Sequence, residues 1–309
     1  MQGTSRGKRR TAGHLVRGAD QLPSQYRRNS RSETRHLDAE AFFDRYAVST
    51  FLYRKHPLEE GLRRIAAAGF RWVELWADRA HLDPRLGEID LSAVRGLLEE
   101  LGLKVYSLHT PFNGLHLGQP SSYDAGLARE MIGEAVRRAG LLGASLAVVH
   151  PSSDPEPLEP DLWPVSRKLA QDLVAELTLV AKRAGTRLAL ENNVYRGFFR
   201  YGVSMEELVA DFPDSEVGFC LDVGHVQLNH RDVGSEARVA GKRLLSVHVA
   251  NNDGERDNHF QPMRGTLNWP EAAAAIDGAG YRGRFVLETD ADGDADAVLA
   301  TLKDLWQVL

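Results

Sequence analysis

Eight β-rich segments alternate along the chain with eight helix-like segments, and this alternation predicts an α/β protein with a parallel sheet. From the third segment to the eighth, each β-rich segment carries an acid or a histidine as its last or next-to-last residue. Residues 45–309 show no break in composition. We therefore predict a single (β/α)8 barrel, because barrels of about 250 residues are commonly one domain and carry their functional residues at the carboxyl ends of the strands.

The predicted strands are short apolar segments rich in β-branched and aromatic residues, bounded by turn residues. In chain order they are Ala47–Phe51, Trp72–Trp76, Lys104–His109, Leu146–His150, Arg187–Glu191, Val217–Asp222, Leu244–Val249 and Arg284–Glu288. An open doubly wound sheet is the rival, but it usually places its site at one crevice served by a few strands. No GxGxxG follows a strand and no GxxxxGK[ST] occurs, so a nucleotide-binding fold has no support.

The predicted helices carry apolar residues at helical spacing, and glycine follows most of them as a left-handed C-cap. Ser204 is the expected N-cap of the fifth, with Glu207 three residues later. The helices are Leu58–Ala68, Leu91–Leu101, Asp124–Leu142, Asp161–Ala184, Met205–Phe212, Asp232–Ala240, Pro270–Ala279 and Asp294–Leu309.

The amino-terminal segment differs from the rest of the chain. Its first 37 residues contain nine Lys and Arg against two acids and show no sustained apolar period, so we expect residues 1–44 to form a disordered basic extension. A transit peptide, a nucleic-acid arm or a basic interaction tail would share this composition, and the simplest interpretation is a solvated extension. Residues 45–309 are the expected catalytic domain.

Composition excludes several classes of function. Beyond residue 37, 29 Lys and Arg face 41 Asp and Glu, a formal net charge of −12, which is a poor surface for a polyphosphate backbone. No apolar stretch approaches the roughly 18–20 residues that span a bilayer. One cysteine, Cys220, allows no internal disulfide, which fits a cytoplasmic location. Cys220 shares strand parity with Asp222, so we expect it to pack inside the barrel rather than act as a nucleophile.

Four strand-end residues predict a metal site: Glu191, Asp222, His248 and Glu288. Their mixture of carboxylate oxygen and imidazole nitrogen suits Mn²⁺, Co²⁺, Mg²⁺ or Zn²⁺. Without a cation, three converging carboxylates should repel and raise one another's pKa. Burying several like charges is very costly, which favours one divalent metal over four separate structural roles.

A second group is expected around the first, as substrate-binding residues or additional metal ligands. Its members are His109, His150, His225, Asp257 and His259. Asp257 and His259 lie in a long polar segment, Asn251–Asn268, of the kind that carries function in loops. No lysine ends a strand, which argues against a Schiff-base aldolase.

The ordered motifs SLHTPF, VVHPSS, LENN, LDVGH, VHVANND, DNH and VLETD resemble those of the xylose isomerase-like TIM barrels. This superfamily holds sugar-phosphate isomerases and epimerases together with nucleases of the endonuclease IV type. The resemblance covers roughly Tyr46 to Leu309 and implies that Glu191, Asp222, His248 and Glu288 hold the metal. It also implies that Glu191 and Glu288 are the catalytic acid and base, on opposite faces of a sugar.

The function expected from this resemblance is isomerisation or epimerisation of a small sugar or sugar phosphate through a metal-stabilised enediolate. Such enzymes are commonly homo-oligomers, which makes a homo-oligomer a possible state of this protein.

The alternative is a multi-zinc phosphodiesterase or apurinic-site nuclease, because endonuclease IV-like enzymes bind three Zn²⁺ through nine residues whose types all match here. The acidic barrel argues against nucleic acid, and so does Phe112, which stands where those nucleases carry tyrosine. A related lyase, dehydratase or binding protein remains open.

Overall fold

The computed structural model describes residues 38–115, 125–151, 163–194, 199–291 and 293–309. Its strands form one closed parallel barrel in chain order, with the last strand paired to the first. They are β1 (Tyr46–Ser49), β2 (Trp72–Trp76), β3 (Lys104–His109), β4 (Leu146–Val149), β5 (Arg187–Glu191), β6 (Val217–Asp222), β7 (Leu244–Val249) and β8 (Phe285–Leu287). The predicted (β/α)8 barrel is confirmed. Residues 1–37, expected to be a disordered extension, lie outside the described residues.

The helices surround this barrel. They are α1 (Ala39–Arg45), α2 (Leu58–Ala67), α3 (Leu91–Leu101), α4 (Ala125–Leu141), α5 (Trp163–Ala184), α6 (Gly202–Val209), α7 (Val223–Leu228), α8 (Val233–Ala240), α9 (Trp269–Gly278) and α10 (Ala295–Lys303). No helix in the described part of the chain is long and apolar enough to cross a membrane.

Three helices differ from the sequence expectation. α1 and α7 were not predicted, because each is shorter than the periodic pattern that a sequence reveals. α6 begins at Gly202, so Ser204 lies in its first turn, where its hydroxyl donates to the Tyr201 carbonyl (2.9 Å), and is not the N-cap. α7 begins directly after Asp222, whose Oδ1 accepts from His225 N at 2.7 Å. One residue thus ends a strand and caps the next helix.

The lower half of the barrel interior is an apolar cluster. It consists of Ala47, Tyr106, Leu146, Val148, Ala189, Cys220 and Val286. Burial raises the pKa of the Cys220 thiol to about 12, which leaves it neutral and a poor nucleophile, as expected from its strand parity. The apolar layer supports the polar residues above it, at the carboxyl ends of the strands.

Helix α1 packs onto the start of the barrel, although its residues fall in the range assigned to the extension. Asp38 caps it by accepting from Ala41 N at 2.8 Å. Phe42 is fully buried and stacks on Tyr46, with 4.5 Å between ring centroids. The contiguous fold of the described chain therefore begins before residue 45.

Replacing Phe42 by alanine should lower the free energy of unfolding by about 3–5 kcal/mol, because it empties a fully buried aromatic site. Urea unfolding followed by circular dichroism measures this loss. Glu40→Ala, at an exposed position of the same helix, is the matched control and should change stability by less than about 0.5 kcal/mol. If Phe42→Ala changed the free energy of unfolding as little as Glu40→Ala, α1 would add nothing to the core.

Candidate metal centre

Four ligand-type side chains converge at the mouth of the barrel. Glu191 and Asp222 end β5 and β6, His248 lies in β7, and Glu288 directly follows β8. The strand register places Asp222 beside His248. One ligand atom from each of the four residues lies within 4.8 Å of the others, and all four side chains are buried. The four residues singled out from the sequence therefore share one point in space.

The polar atoms of this quartet are unsatisfied in a way that suits a cation. Asp222 Oδ2, His248 Nδ1 and Glu288 Oε2 are buried and make no hydrogen bond. His248 Nδ1 lies 2.9 Å from Glu288 Oε2 without hydrogen-bonding geometry. Buried polar atoms normally have a partner. These two carboxylate oxygens and one imidazole nitrogen have no hydrogen-bond partner, and together they suit a divalent cation with mixed oxygen and nitrogen ligands.

Glu191 is the centre of a wider histidine cluster. Its Oε2 lies 3.2 Å from His109 Nε2, 3.3 Å from His150 Nε2 and 3.4 Å from His248 Nδ1. Its Oε1 lies 3.6 Å from His225 Nδ1. His109, His150 and Glu191 thus form a second group whose ligand atoms lie within bonding reach of a common ion. Glu191 belongs to this group and to the quartet.

A third group lies beside the quartet. Asp257 Oδ2 is 3.3 Å from His225 Nε2 and 3.2 Å from His259 Nε2. The other nitrogens face backbone carbonyls, with His225 Nδ1 2.7 Å from Asn192 O and His259 Nδ1 3.0 Å from Glu288 O. These carbonyls fix the protons on Nδ1, so each neutral imidazole turns the Nε2 lone pair toward the carboxylate. That arrangement requires a proton or a metal ion between Asp257 and the two rings.

The loop Asn251–Asn268 positions this third group. Asn251 pairs with Phe260 through two backbone hydrogen bonds, and its side-chain amide donates to Pro262 O and Leu267 O. At Gly265, φ is 136°, and a Cβ there would lie 2.3 Å from Asn251 Oδ1, so only glycine fits. His259 holds a left-handed backbone (φ 49°), a strained conformation that commonly occurs at functional sites.

Neighbouring carboxylates outweigh burial at the histidines. Burial by itself lowers the pKa of an imidazole, because the charged form loses water. The negative charges around His225 and His248 nevertheless hold their pKa values well above the usual range. The pKa of His259 rises to about 10, mainly through Asp257. These shifts favour protonated rings beside the carboxylates, and a metal ion bound to the same nitrogens would displace those protons.

The carboxyl groups divide into two kinds. Burial raises the pKa of Asp222 to about 6, and the charges of Glu191 and Glu288 add to this. At Glu191 and Glu288, the attraction of His248 overcomes burial and lowers the pKa. The expectation that three converging carboxylates raise one another's pKa therefore holds only for Asp222, because the other two have histidine neighbours at shorter distances.

The sequence did not reveal several residues of this region. Glu74 lies fully buried in β2 and contacts His248. Phe51, Trp76 and Phe112 form an aromatic wall beside the histidines, with Phe112 stacked on His150 at 4.3 Å between centroids. Glu74 could have been recognised in the sequence as a carboxylate inside the otherwise apolar segment WVELW. Phe51 and Trp76 gave none, because aromatic residues in predicted strands are more often core, and Phe112 stood out only as the position where nucleases of the endonuclease IV type carry tyrosine.

The xylose isomerase-like TIM barrel family matches residues 62–306. The chain belongs to this family. An uncharacterized protein, MJ1311, of Methanocaldococcus jannaschii is 25% identical over 276 residues, which cover 86% of this chain and 90% of that protein.

Two solved structures show the same fold. A D-tagatose 3-epimerase-like protein superposes with a TM-score of 0.73 at 21% identity, over 85% of this chain and 97% of that one. An AP endonuclease, family 2, of Brucella melitensis superposes with a TM-score of 0.67 at 19% identity, over 83% and 97%. At these identities the likeness establishes the barrel, while the chemistry has to be argued from the site.

Asn192→Ala should lower the free energy of unfolding by about 2–3 kcal/mol, because it leaves buried backbone groups unpaired. The Asn192 side chain accepts from Asp222 N at 2.7 Å and donates to Asp222 O at 3.2 Å. Denaturant unfolding of the metal-free protein measures the loss. The control is Gln307→Ala, which removes an exposed side-chain amide and should be nearly neutral. An equally mild effect at Asn192 would contradict its role in fixing Asp222.

Proposed function

We propose that this protein is a divalent-metal-dependent isomerase or epimerase of a sugar or sugar phosphate. The observation that carries the proposal is the buried quartet Glu191, Asp222, His248 and Glu288, whose ligand atoms lie within 4.8 Å of one another and include three orphaned polar atoms. A cation bound there would polarise a substrate carbonyl and acidify the adjacent C–H bond.

The two glutamates are the proposed acid and base. One carboxylate removes the proton from the carbon next to the carbonyl, which gives the enediolate of the sugar. Return of a proton from the other glutamate to the opposite face gives the epimer, whereas its return to the neighbouring carbon gives the aldose–ketose isomer. Either event leaves one carboxyl with a proton and the other without, so a proton exchanges with solvent before the next turnover. General acid–base catalysis of this kind contributes about 10²–10⁴-fold.

The surrounding groups suit a small polyol. His109, His150, His225 and His259 present ring nitrogens toward the carboxylates and can hold substrate hydroxyls or move protons between them. Trp76 and Phe112 give the C–H face of a sugar an apolar surface to lie against. A cytoplasmic location and a homo-oligomeric state stay predictions.

In deuterium oxide with Mn²⁺, the protein should exchange a carbon-bound hydrogen of its substrate for deuterium. A screen of keto-sugars, inositol ketones and their phosphates, followed by NMR or mass spectrometry, would identify that substrate. Glu191→Gln and Glu288→Gln should each abolish the exchange, because each removes a group that carries the proton. Glu271→Gln, which changes an exposed carboxylate on α9, is the control and should keep full activity.

Circular dichroism has to accompany the exchange measurements. Loss of exchange in well-folded glutamine variants would support the proton-transfer role. Unfolding of both variants would mean that the two charges are structural, and undiminished exchange would exclude them as acid and base.

A multi-zinc phosphodiesterase is the second candidate, and one observation favours it. The quartet, the His109–His150–Glu191 group and the His225–Asp257–His259 group are three adjoining sets, each able to hold a cation. Clustered zinc ions can activate water and stabilise the leaving oxygen of a phosphodiester. The formal charge of −12 beyond residue 37 and the presence of Phe112 weigh against DNA as the substrate.

Metal stoichiometry separates the two candidates. Elemental analysis of purified protein should find about one divalent ion per chain for the isomerase, with the quartet as the site. Asp257→Asn should leave that count unchanged, whereas Asp222→Asn should reduce it toward zero. Three zinc ions per chain, one of them lost in Asp257→Asn, would overturn the isomerase proposal in favour of the phosphodiesterase.

A further inference from the structure

Glu74 differs from every other carboxylate near the metal centre. It lies in the middle of β2 rather than at a strand end, and it is fully buried inside the barrel. The pairing of β2 with β3 shifts register between Val73 and Glu74, an irregularity of the kind that re-aims a side chain. Glu74 Oε2 reaches across the interior to His248 Nε2, 3.0 Å away on β7. Strands β1 and β8 separate β2 from β7 in the barrel, so this contact is not a consequence of strand pairing.

The contact determines which nitrogen of His248 carries the proton. An ionised carboxylate only accepts hydrogen bonds, so Nε2 has to be the donor. The neutral ring then has its lone pair on Nδ1, the atom that faces Glu288 Oε2 at 2.9 Å and Glu191 Oε2 at 3.4 Å. Glu74 therefore turns the ligand atom of His248 toward the quartet.

In three other histidines of the site, a neutral group rather than a carboxylate fixes which ring nitrogen carries the proton. His109, His225 and His259 each direct Nδ1 to a backbone carbonyl oxygen. Among these four histidines, His248 alone uses a carboxylate as its outer partner. Such a partner gives the ring partial imidazolate character and makes the ligating nitrogen more basic than a carbonyl would.

Glu74 is itself held in place. Ser107 Oγ donates to its Oε2 at 2.8 Å, and both residues are fully buried. Its Oε1 is buried and makes no hydrogen bond within the described structure. Ser107 and His248 therefore contact the same oxygen of Glu74, Oε2.

We propose that Glu74 is a positioning residue of the metal centre, which fixes the Nδ1-ligating tautomer of His248 and strengthens its bond to a divalent cation. The inference rests on the metal site of the proposed function. It adds a carboxylate that touches neither metal nor substrate, and it holds whether the centre serves a sugar or a phosphodiester.

Zinc affinity, measured by competition with a chromophoric chelator, tests the proposal. Glu74→Leu removes both the charge and the acceptor, and it should weaken binding by up to about 100-fold; Glu74→Gln keeps an acceptor and should cost about tenfold. Glu236→Gln is the matched control, since it neutralises a buried carboxylate on α8 that pairs with Arg231 and lies outside the three metal-binding groups. It should leave zinc affinity unchanged.

The Nε2 proton of His248 gives a second readout that a merely structural role would not move. In the zinc-loaded wild type this proton should resonate well downfield, because it is donated to the Glu74 carboxylate. The leucine variant, which offers no acceptor, should lose the downfield shift, and the glutamine variant, with a neutral acceptor, should show a smaller one. Folded variants with wild-type affinity and an unchanged Nε2 proton resonance would overturn the role of Glu74. Absence of zinc binding in the wild type would instead overturn the proposed function, and the inference with it.

Discussion

The mouth of this barrel is organised by the cost of burying negative charge. Five carboxylates lie in or beside the candidate metal centre: Glu74, Glu191, Asp222, Asp257 and Glu288. An uncompensated buried carboxylate is costly, and several together repel. Histidines at 2.9–3.9 Å surround them, and either protons or metal ions have to supply the compensating charge.

The fold meets the requirement without long-range coincidences. Parallel strands in chain order bring residues that are far apart in sequence to one rim, where β5 to β8 each place a candidate ligand at or next to the end of the strand. The supporting groups then come from the immediate continuation of the same strands. Asn192, directly after Glu191, holds both backbone groups of Asp222, and Asp222 in turn caps α7 and so positions His225. Most of the candidate ligands and the residues that hold them are therefore short-range features of the chain repeated around a ring.

This locality explains how much the sequence could predict. Glu191, Asp222, His248 and Glu288 were predictable because a charged or imidazole side chain at the end of an apolar strand is conspicuous, and the barrel brings such ends together. Glu74 was not, since a mid-strand carboxylate becomes meaningful only when its partner across the barrel is known. Helix α1 was not predicted from the sequence for a similar reason. Its seven residues carry one fully buried side chain, Phe42, and that contact is set by packing rather than by periodicity.

The role of Glu191 differs between the two candidate chemistries. If only the quartet binds a cation, the histidines near its Oε2 stay available for protons and hydroxyls, and the carboxylate can take part in proton transfer. If His109 and His150 also held a cation, Glu191 would be shared between two metal sites, and its carboxylate would be less available as a base. The number of ions that share Glu191 therefore separates the two proposed chemistries.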